Sequence, residues 1–437
     1  MKRSIINKLL AGAMFTLAFI ISAPVIAQSS GFDGAVFVGT NHNNTKTTAD
    51  SGEPANRIAM FGRAADGTLT FIDFFDTGGQ GSGPGERFAG DGLGSSHSVQ
   101  LSDDRRWLFA TNAGSNTVSV FRVHPDRLEL TDVAPTGDGS PSHRFTNSVT
   151  IYGNLVYVLN SADEGSITGF RFNRNTGTLT PIPDSTRGLA ANQTFPPDAL
   201  FNPTQVSFTP TGTQLVVSIK DGADGLDPNN PATGPGRILV FGFDTRDGVP
   251  SETFVQNDLS NLGPFGFSFD ARGRLFVALF IGGPNFSSAA GSFNINSDGT
   301  LSPISFPVFA GGEVDLCWVE NNGAYAFGAN YTTGTISSFR IGADGSLTLL
   351  NATAGLTDVP DPFRSQGSTP LDLGISRGGN YLYNILPGSG KVAGWRINSD
   401  GSLTKIGEFA GLGQTLEGDM APEPFSPLES PAGIAVY

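Results

Sequence analysis

The sequence predicts an all-β fold, a seven-bladed β-propeller of four-stranded antiparallel blades whose ring is closed by the C-terminal strand in the N-terminal blade. Three observations predict it. A short phrase, Asp-Gly-x-Leu or a worn form of it, recurs seven times. Each recurrence is flanked by strand-like segments in a fixed order. The two ends of the array lack complementary pieces.

The intact phrases run from Asp66 to Leu69, Asp298 to Leu301, Asp344 to Leu347 and Asp400 to Leu403. The worn ones are Pro125-Asp126-Arg127-Leu128, Thr176-Gly177-Thr178-Leu179 and Asp247-Gly248-Val249. Their last residues are 59, 51, 70, 52, 46 and 56 apart, a period that marks a repeat architecture. Asp-Gly is hairpin-turn chemistry, because glycine accepts positive φ without a steric cost.

An alternating segment precedes each phrase: "NRIAMFGR", "NTVSVFRV", "GSITGFRF", "GRILVFGF", "AAGSFNI", "GTISSFRI" and "GKVAGWRI". Period-two alternation of β-branched and aromatic residues reads as a strand. Before these stand "AVFVGTN", "RWLFATN", "NLVYVLN", "QLVVSIK", "RLFVALF", "AYAFGAN" and "YLYNILP". A third set opens each unit: "HSVQLS", "NSVTIY", "TQVSFT", "FGFSFD", "VDLCWV", "LDLGIS" and the terminal "AGIAVY". The last of these has no partners after it, and the first unit, near Ala35, lacks its own opening strand. A closed ring removes both defects, whereas a solenoid would need capping repeats.

The N-terminus reads differently. Lys2, Arg3 and Lys8 precede the apolar run "LLAGAMFTLAFIISAPV", and Val25-Ile26-Ala27 supplies small residues before Gln28. This is the pattern of a secretory signal peptide over residues 1–27, with a single propeller domain over 28–437. A periplasmic or secreted protein with no stable membrane anchor after cleavage is expected. Removal leaves 437 − 27 = 410 residues and moves the net charge from −14 to −17, since three cations leave. An acidic surface repels nucleic acid, so none is expected as a partner. Cys317 is the single cysteine and cannot form an internal disulfide; its setting in "VDLCWV" reads as a buried strand. A monomer is expected.

In such a meander the turns between first and second strands and between third and fourth strands share one face. Here these are short. The opposite face carries the long connections, including "HNNTKTTADSGEPA", "TGGQGSGPGERFAGDGLGSS" and "DGADGLDPNNPATGPG". Long loops on a rigid scaffold are where binding concentrates, so a small-molecule or protein ligand is expected on that face.

The stretches "SHSVQLSDDRRWLFATNAGSNTVSVFRV" (96–123) and "RGGNYLYNILPGSGKVAGWRINSDGSLTKI" (377–406) resemble the blade signature of the seven-bladed lactonase-like propellers, the family of 6-phosphogluconolactonases and carboxymuconate cyclases. The resemblance spans essentially the whole mature chain. It implies a pocket lined by starts of first strands and ends of second strands, with an Arg-His pair opening one blade and an Asn-Glu pair ending its second strand. In this chain His143-Arg144 occupies the first place in reversed order. Asn160 is followed by Ser161, and the nearest acid is Glu164. His97 fits the family's other strand-opening histidine, while Gln205, Phe265 and Leu371 stand where further histidines would.

The residues that this reading brings forward are His97, His143, Arg144 and Glu164 for chemistry, and Arg87, Asn112, Asn160, Gln205 and Lys220 for substrate. A histidine base would take a proton from water and Arg144 would face the oxyanion, with Glu164 orienting them. His42 and His124 read as solvated loop and turn residues. No His/Cys cluster has zinc spacing, and Asp221, Asp224 and Asp227 do not match an EF-hand loop, so neither metal nor cofactor is assigned; calcium at that loop stays open. "GGQGSGPG" lacks the lysine and helix of a phosphate loop. Two readings remain: a lactonase or cycloisomerase-like enzyme acting on a small acidic lactone, and a non-enzymatic propeller binding a ligand or protein on the same face.

Overall fold

The computed structural model describes residues 31–43, 56–83, 91–138, 140–220, 236–259, 262–280, 288–357, 368–412 and 430–437. The expected signal segment 1–27 lies outside them. No described helix is long and apolar enough to cross a membrane.

The repeated phrase forms a turn for the reason its chemistry gives. Asp66 Oδ1 accepts from the backbone N–H and hydroxyl of Thr68 (3.0 and 2.7 Å), and Asp400 does the same with Ser402 (3.0 and 2.6 Å). Gly67 and Gly401 then take φ of +90° and +86°, which L-residues rarely adopt. The turn is also a seam. A Cβ on Gly401 would lie 2.5 Å from the ring of Tyr325 in the preceding blade, and Tyr325 Oη donates to the Ser399 carbonyl at 2.7 Å. Tyr383 to Gly67 and Tyr157 to Gly248 repeat that bond at 2.7 Å. In these blades the turn seats on the second strand of the preceding blade, whereas Gly299 of blade 5 meets Val240 and Val255 of the third and outer strands of blade 4.

Seven antiparallel sheets result. Their innermost strands are Ile434–Val436, Val99–Leu101, Thr146–Tyr152, Pro203–Phe208, Pro264–Phe269, Leu316–Asn321 and Leu373–Ile375, for blades 1 to 7. Blade 1 holds Gly34–Gly39, Arg57–Arg63 and Leu69–Asp76 outside the terminal strand. Closure is register-specific: Val36, Phe37 and Val38 pair with Val436, Ala435 and Ile434. Arg63 Nε adds a bond to the Tyr437 carbonyl at 3.2 Å. The ring is therefore closed and the solenoid is excluded.

Two features exceed the four-strand expectation. The outer position is split in blade 3 (Thr178–Pro181 and Arg187–Gly188) and in blade 4 (Val249–Pro250 and Val255–Asp258). The innermost strands of blades 3 to 6 shift register near their starts, where the connections from the previous blade enter. Between the sheets pack large side chains such as Trp107, Trp318, Tyr157 and Tyr383. Burying each apolar side chain of that kind stabilises by about 1.5–3 kcal/mol. Cys317 is buried in the blade 6 inner strand, as its sequence setting predicts. His42 is only 1% exposed, not the solvated loop residue expected.

Candidate functional site

The segment 91–98, which leads into blade 2, does not stay on the rim. It crosses the axis and is fastened to inner elements of several blades. Ser95 Oγ donates to the Asn147 carbonyl (2.8 Å) and Ser96 N–H to the Thr204 carbonyl (3.0 Å). Trp318 Nε1 donates to the Ser95 carbonyl (3.0 Å), and Gly92 N–H to Ser430 Oγ (3.1 Å). Asp372 accepts from Ser96 Oγ (3.3 Å) and from the Gly433 N–H (2.8 Å), tying this segment to the closing strand. The inner strands of six blades are buried at their starts and half-exposed at their ends, so the channel meets water on the side of the short turns.

Charged groups gather beneath this crossing segment. Lys220, expected to bind substrate on the long-loop face, is instead 1% exposed. Its Nζ donates to the Ala199 carbonyl at 2.5 Å and stands 3.9 Å from the Phe265 ring centre. Burial pulls the ammonium down to about 8, against the attraction of Asp91. Burial raises Asp91 and Asp315 to about 6 and Asp372 to about 7, and pushes the Cys317 thiol up. The physical reason Lys220 turns inward is that its position, the end of a second strand, faces the axis, where these carboxylates await a counter-ion.

His97 and Gln205, nominated separately from the sequence, meet at 3.0 Å. The Gln205 amide is fixed by Phe267: its oxygen accepts the Phe267 N–H (2.8 Å) and its nitrogen donates to the Phe267 carbonyl (2.8 Å). The second amide hydrogen therefore points at His97 Nδ1, which must accept. The proton sits on Nε2 and is donated to Glu320 at 3.2 Å. Both ring nitrogens are engaged, and neither offers a lone pair to substrate. His97, at φ +62°, is a cross-channel strut.

His143 is arranged in the opposite sense. Its Nδ1 lies 2.8 Å from Asp138 Oδ1 and 3.1 Å from Ser140 Oγ. Hydrogen bonds from the Ser140 N–H and hydroxyl, then from His143, hold the Asp138 carboxyl well below the usual carboxylate range, so it is ionised and Nδ1 carries the hydrogen. Nε2 is left with its lone pair and has no hydrogen-bond partner among the described residues. Arg144 follows directly. Its Nε and Nη2 donate to Asp163 Oδ2 (3.0 and 2.7 Å), and its guanidinium lies 4.0 Å from the centre of the half-exposed Phe195 ring. Phe195 is 52% exposed, an apolar platform on the loop side of blade 3.

Several expectations need correction. Glu164 does not orient the pair; it is exposed, and Asp163 takes that role. The turn closed by Gly165 N–H to the Ala162 carbonyl (2.9 Å) places Asp163 at φ +55°, and its carboxylate meets Arg144. Asn112 is not free for substrate. Its oxygen accepts from Asn56 (2.9 Å) and Thr77 (2.7 Å), and its nitrogen donates to Thr117 (3.0 Å) and Ser119 (2.8 Å). Asn160 is likewise held by Thr146 (2.8 Å) and Ser166 (3.2 Å). Asn330 repeats the arrangement with Thr335 and Ser337, so the residue at this register is framework. His124 pairs with Glu129 at 3.0 Å. Arg87, Asp221, Asp224 and Asp227 lie outside the described residues. Among the described residues no group of three His, Cys, Asp or Glu could hold a metal ion.

The sequence reading missed Asp138, Asp163, Phe195 and Glu320. Asp138 was within reach, since "GDGSPSH" sets an acid five residues before the histidine in a Gly- and Pro-containing stretch. Glu320 comes from a blade 223 residues away and left no local signal.

The family model described as lactonase, seven-bladed β-propeller, matches residues 51–193 and 233–417. No curated protein sequence matches the chain. Among solved structures, the periplasmic gluconolactonase PpgL of Pseudomonas aeruginosa is similar at 15% identity and TM-score 0.62, covering 92% of this chain and 98% of that one. A candidate 6-phosphogluconolactonase of Bacteroides uniformis is similar at 17% identity and TM-score 0.60, covering 92% and 99%. One of Bacteroides fragilis is similar at 16% and TM-score 0.60, covering 95% and 100%. At these identities the likeness is one of fold.

Proposed function

Because the chain belongs to the seven-bladed lactonase β-propeller family, we propose that it is an exported hydrolase of small acidic lactones, with His143 as its general base. The observation that carries the proposal is the Asp138–His143 pair, in which an ionised carboxylate fixes the Nδ1–H and leaves Nε2 as the basic nitrogen. The periplasmic address of the Pseudomonas neighbour and the leader pattern over residues 1–27 support export to the same compartment.

The reaction balances with one water. His143 Nε2 takes a proton from water as its oxygen attacks the lactone carbonyl. The negative charge that develops on the carbonyl oxygen faces Arg144, whose Nη1 has no partner among the described residues. The ring C–O bond then breaks, and the imidazolium returns its proton to the leaving alkoxide. The product is the open hydroxy acid and His143 is restored. Asp163 orients Arg144, and Phe195 offers an apolar face to the substrate ring.

Turnover of δ-gluconolactone and 6-phosphogluconolactone would be measured for the mature protein and for His143→Ala, Asp138→Asn and His97→Ala. Loss of about 10²–10⁴-fold in kcat is expected for His143→Ala, the usual contribution of a positioned base. Folded His97→Ala should keep most activity. A His143→Ala protein as fast as the wild type refutes the assignment. Absence of turnover on every lactone favours the non-enzymatic reading, a ligand-binding propeller.

A further inference from the structure

A second candidate site lies on the opposite face, at the seam between blades 2 and 3. A cavity of about 350 Å³ is lined by Arg106, Trp107, Arg122, His124, Arg174 and Asn175, with Val123 at its wall. In a chain of net charge −14, three guanidinium groups converge there. We infer that this seam binds a small oxyanion-bearing molecule, a phosphate ester or a carboxylate.

The guanidinium groups are held in place before any ligand arrives. Arg122 stacks over the Trp107 ring at 4.8 Å and gives one N–H to the Asn175 carbonyl (3.1 Å). Arg174 is anchored by Nε and Nη2 to the Gly153 carbonyl (3.1 and 2.5 Å). Arg106 is 66% exposed. The nearby carboxylates do not line the cavity but pair with Arg106, Arg174 and His124 of its wall, which leaves Arg122 as the guanidinium with unused N–H groups. Asp104 Oδ2 takes Arg106 (3.3 Å) and Arg174 (3.0 Å), while its Oδ1 takes Ser102 (2.6 Å). Asp103 is 3.9 Å from Arg174, and Glu129 accepts from His124 at 3.0 Å. Arg122 Nε and Nη1 have no partner among the described residues.

Trp107 is 1% exposed and its indole N–H is buried, so its part at the seam is the ring that carries Arg122. Apart from the Asn175 carboxamide and the His124 ring, the polar groups of this wall only donate, which selects a ligand rich in acceptor oxygens. The volume exceeds that of a bare phosphate and suits a ligand of sugar-phosphate size. The site is separate from His143, so its fate does not depend on the lactonase reading.

The test is calorimetric titration of the folded protein with inorganic phosphate, glucose 6-phosphate and malonate at constant ionic strength. One saturable site is expected, weakened at least tenfold by Arg174→Gln and by Arg122→Ala. Arg122→Lys, which keeps the charge but loses the planar fork, should weaken it similarly and serves if the alanine variant does not fold. Arg340→Ala is the control, since Arg340 holds the corresponding strand position in blade 6, over Tyr325 at 5.7 Å. Preference for the phosphates over malonate assigns phosphate, and the reverse assigns carboxylate. No saturable heat with any of the three, or an equal loss in Arg340→Ala, overturns the proposal.

Discussion

Replacing Asp372 by asparagine isolates the electrostatics of the closed axis. Asp372 is 3% exposed, and burial raises its carboxyl from 3.8 to about 7, with Asp91 adding repulsion. A carboxyl whose folded value is raised binds more protons in the native state than in the unfolded chain. Its contribution to stability is therefore complete below pH 3.8 and is lost as pH rises through about 7. At 1.36 kcal/mol per tenfold change in proton affinity, the gap amounts to about 4 kcal/mol. Rearrangement around the charge brings the expected figure to about 2–4 kcal/mol. Asparagine preserves the shape and can still accept the Gly433 N–H, but it does not titrate. Urea unfolding of both proteins at pH 4 to 8 measures the difference. Asp91 and Asp315 titrate in both, so their shared loss cancels in the comparison. Wild type should lose about 2–4 kcal/mol more than Asp372→Asn between pH 4 and 8. Parallel curves would refute the claim that this carboxylate is buried without adequate compensation.

Other outcomes follow from the same contacts. Lys220→Met should destabilise more at pH 7 than at pH 5, by about 3 kcal/mol at the higher pH, because ionised Asp91 and Asp315 lose their counter-ion; paired denaturation curves check it. Asn112→Ala removes a carboxamide that makes four hydrogen bonds, three of them buried, and should cost about 2–4 kcal/mol, read as a fall in the urea midpoint without a change in slope. Gly401→Ala forces a side chain onto a φ of +86° and against Tyr325; a loss of at least about 2 kcal/mol is expected by thermal or urea unfolding.

What the sequence revealed depended on whether a contact was local or periodic. The Asp-Gly turns were legible because Asp66, Gly67 and Thr68 satisfy one another within three residues. Blade number and closure were legible because the same turn is repeated around the ring. Asn112 and Asn160 were read as ligands when their own neighbours pointed elsewhere: each is followed by Ser or Thr five to eight residues on, and this recurs at Asn330. The crossing of the axis by residues 91–98 was not legible, since nothing periodic marks it, and it decides the burial of Lys220. The engagement of His97 was hidden for a related reason, because it is set by Gln205 and Glu320 from two other blades. His143 was nominated by likeness, but its partner Asp138 distinguishes it from His97, and only the folded turn shows that.

The pairing of Val36–Val38 with Ile434–Val436 also imposes an order in time. The strand Gly34–Gly39 emerges in synthesis long before its inner neighbour, Ile434–Val436. For that whole interval its inner edge presents unsatisfied N–H and C=O groups, which any extended peptide can engage. An interrupted product would keep this edge and invite the tail of another copy onto it. Only a polypeptide translated through Val436 can conceal it from within, so the architecture itself discriminates chains that carry the closing strand from shorter fragments.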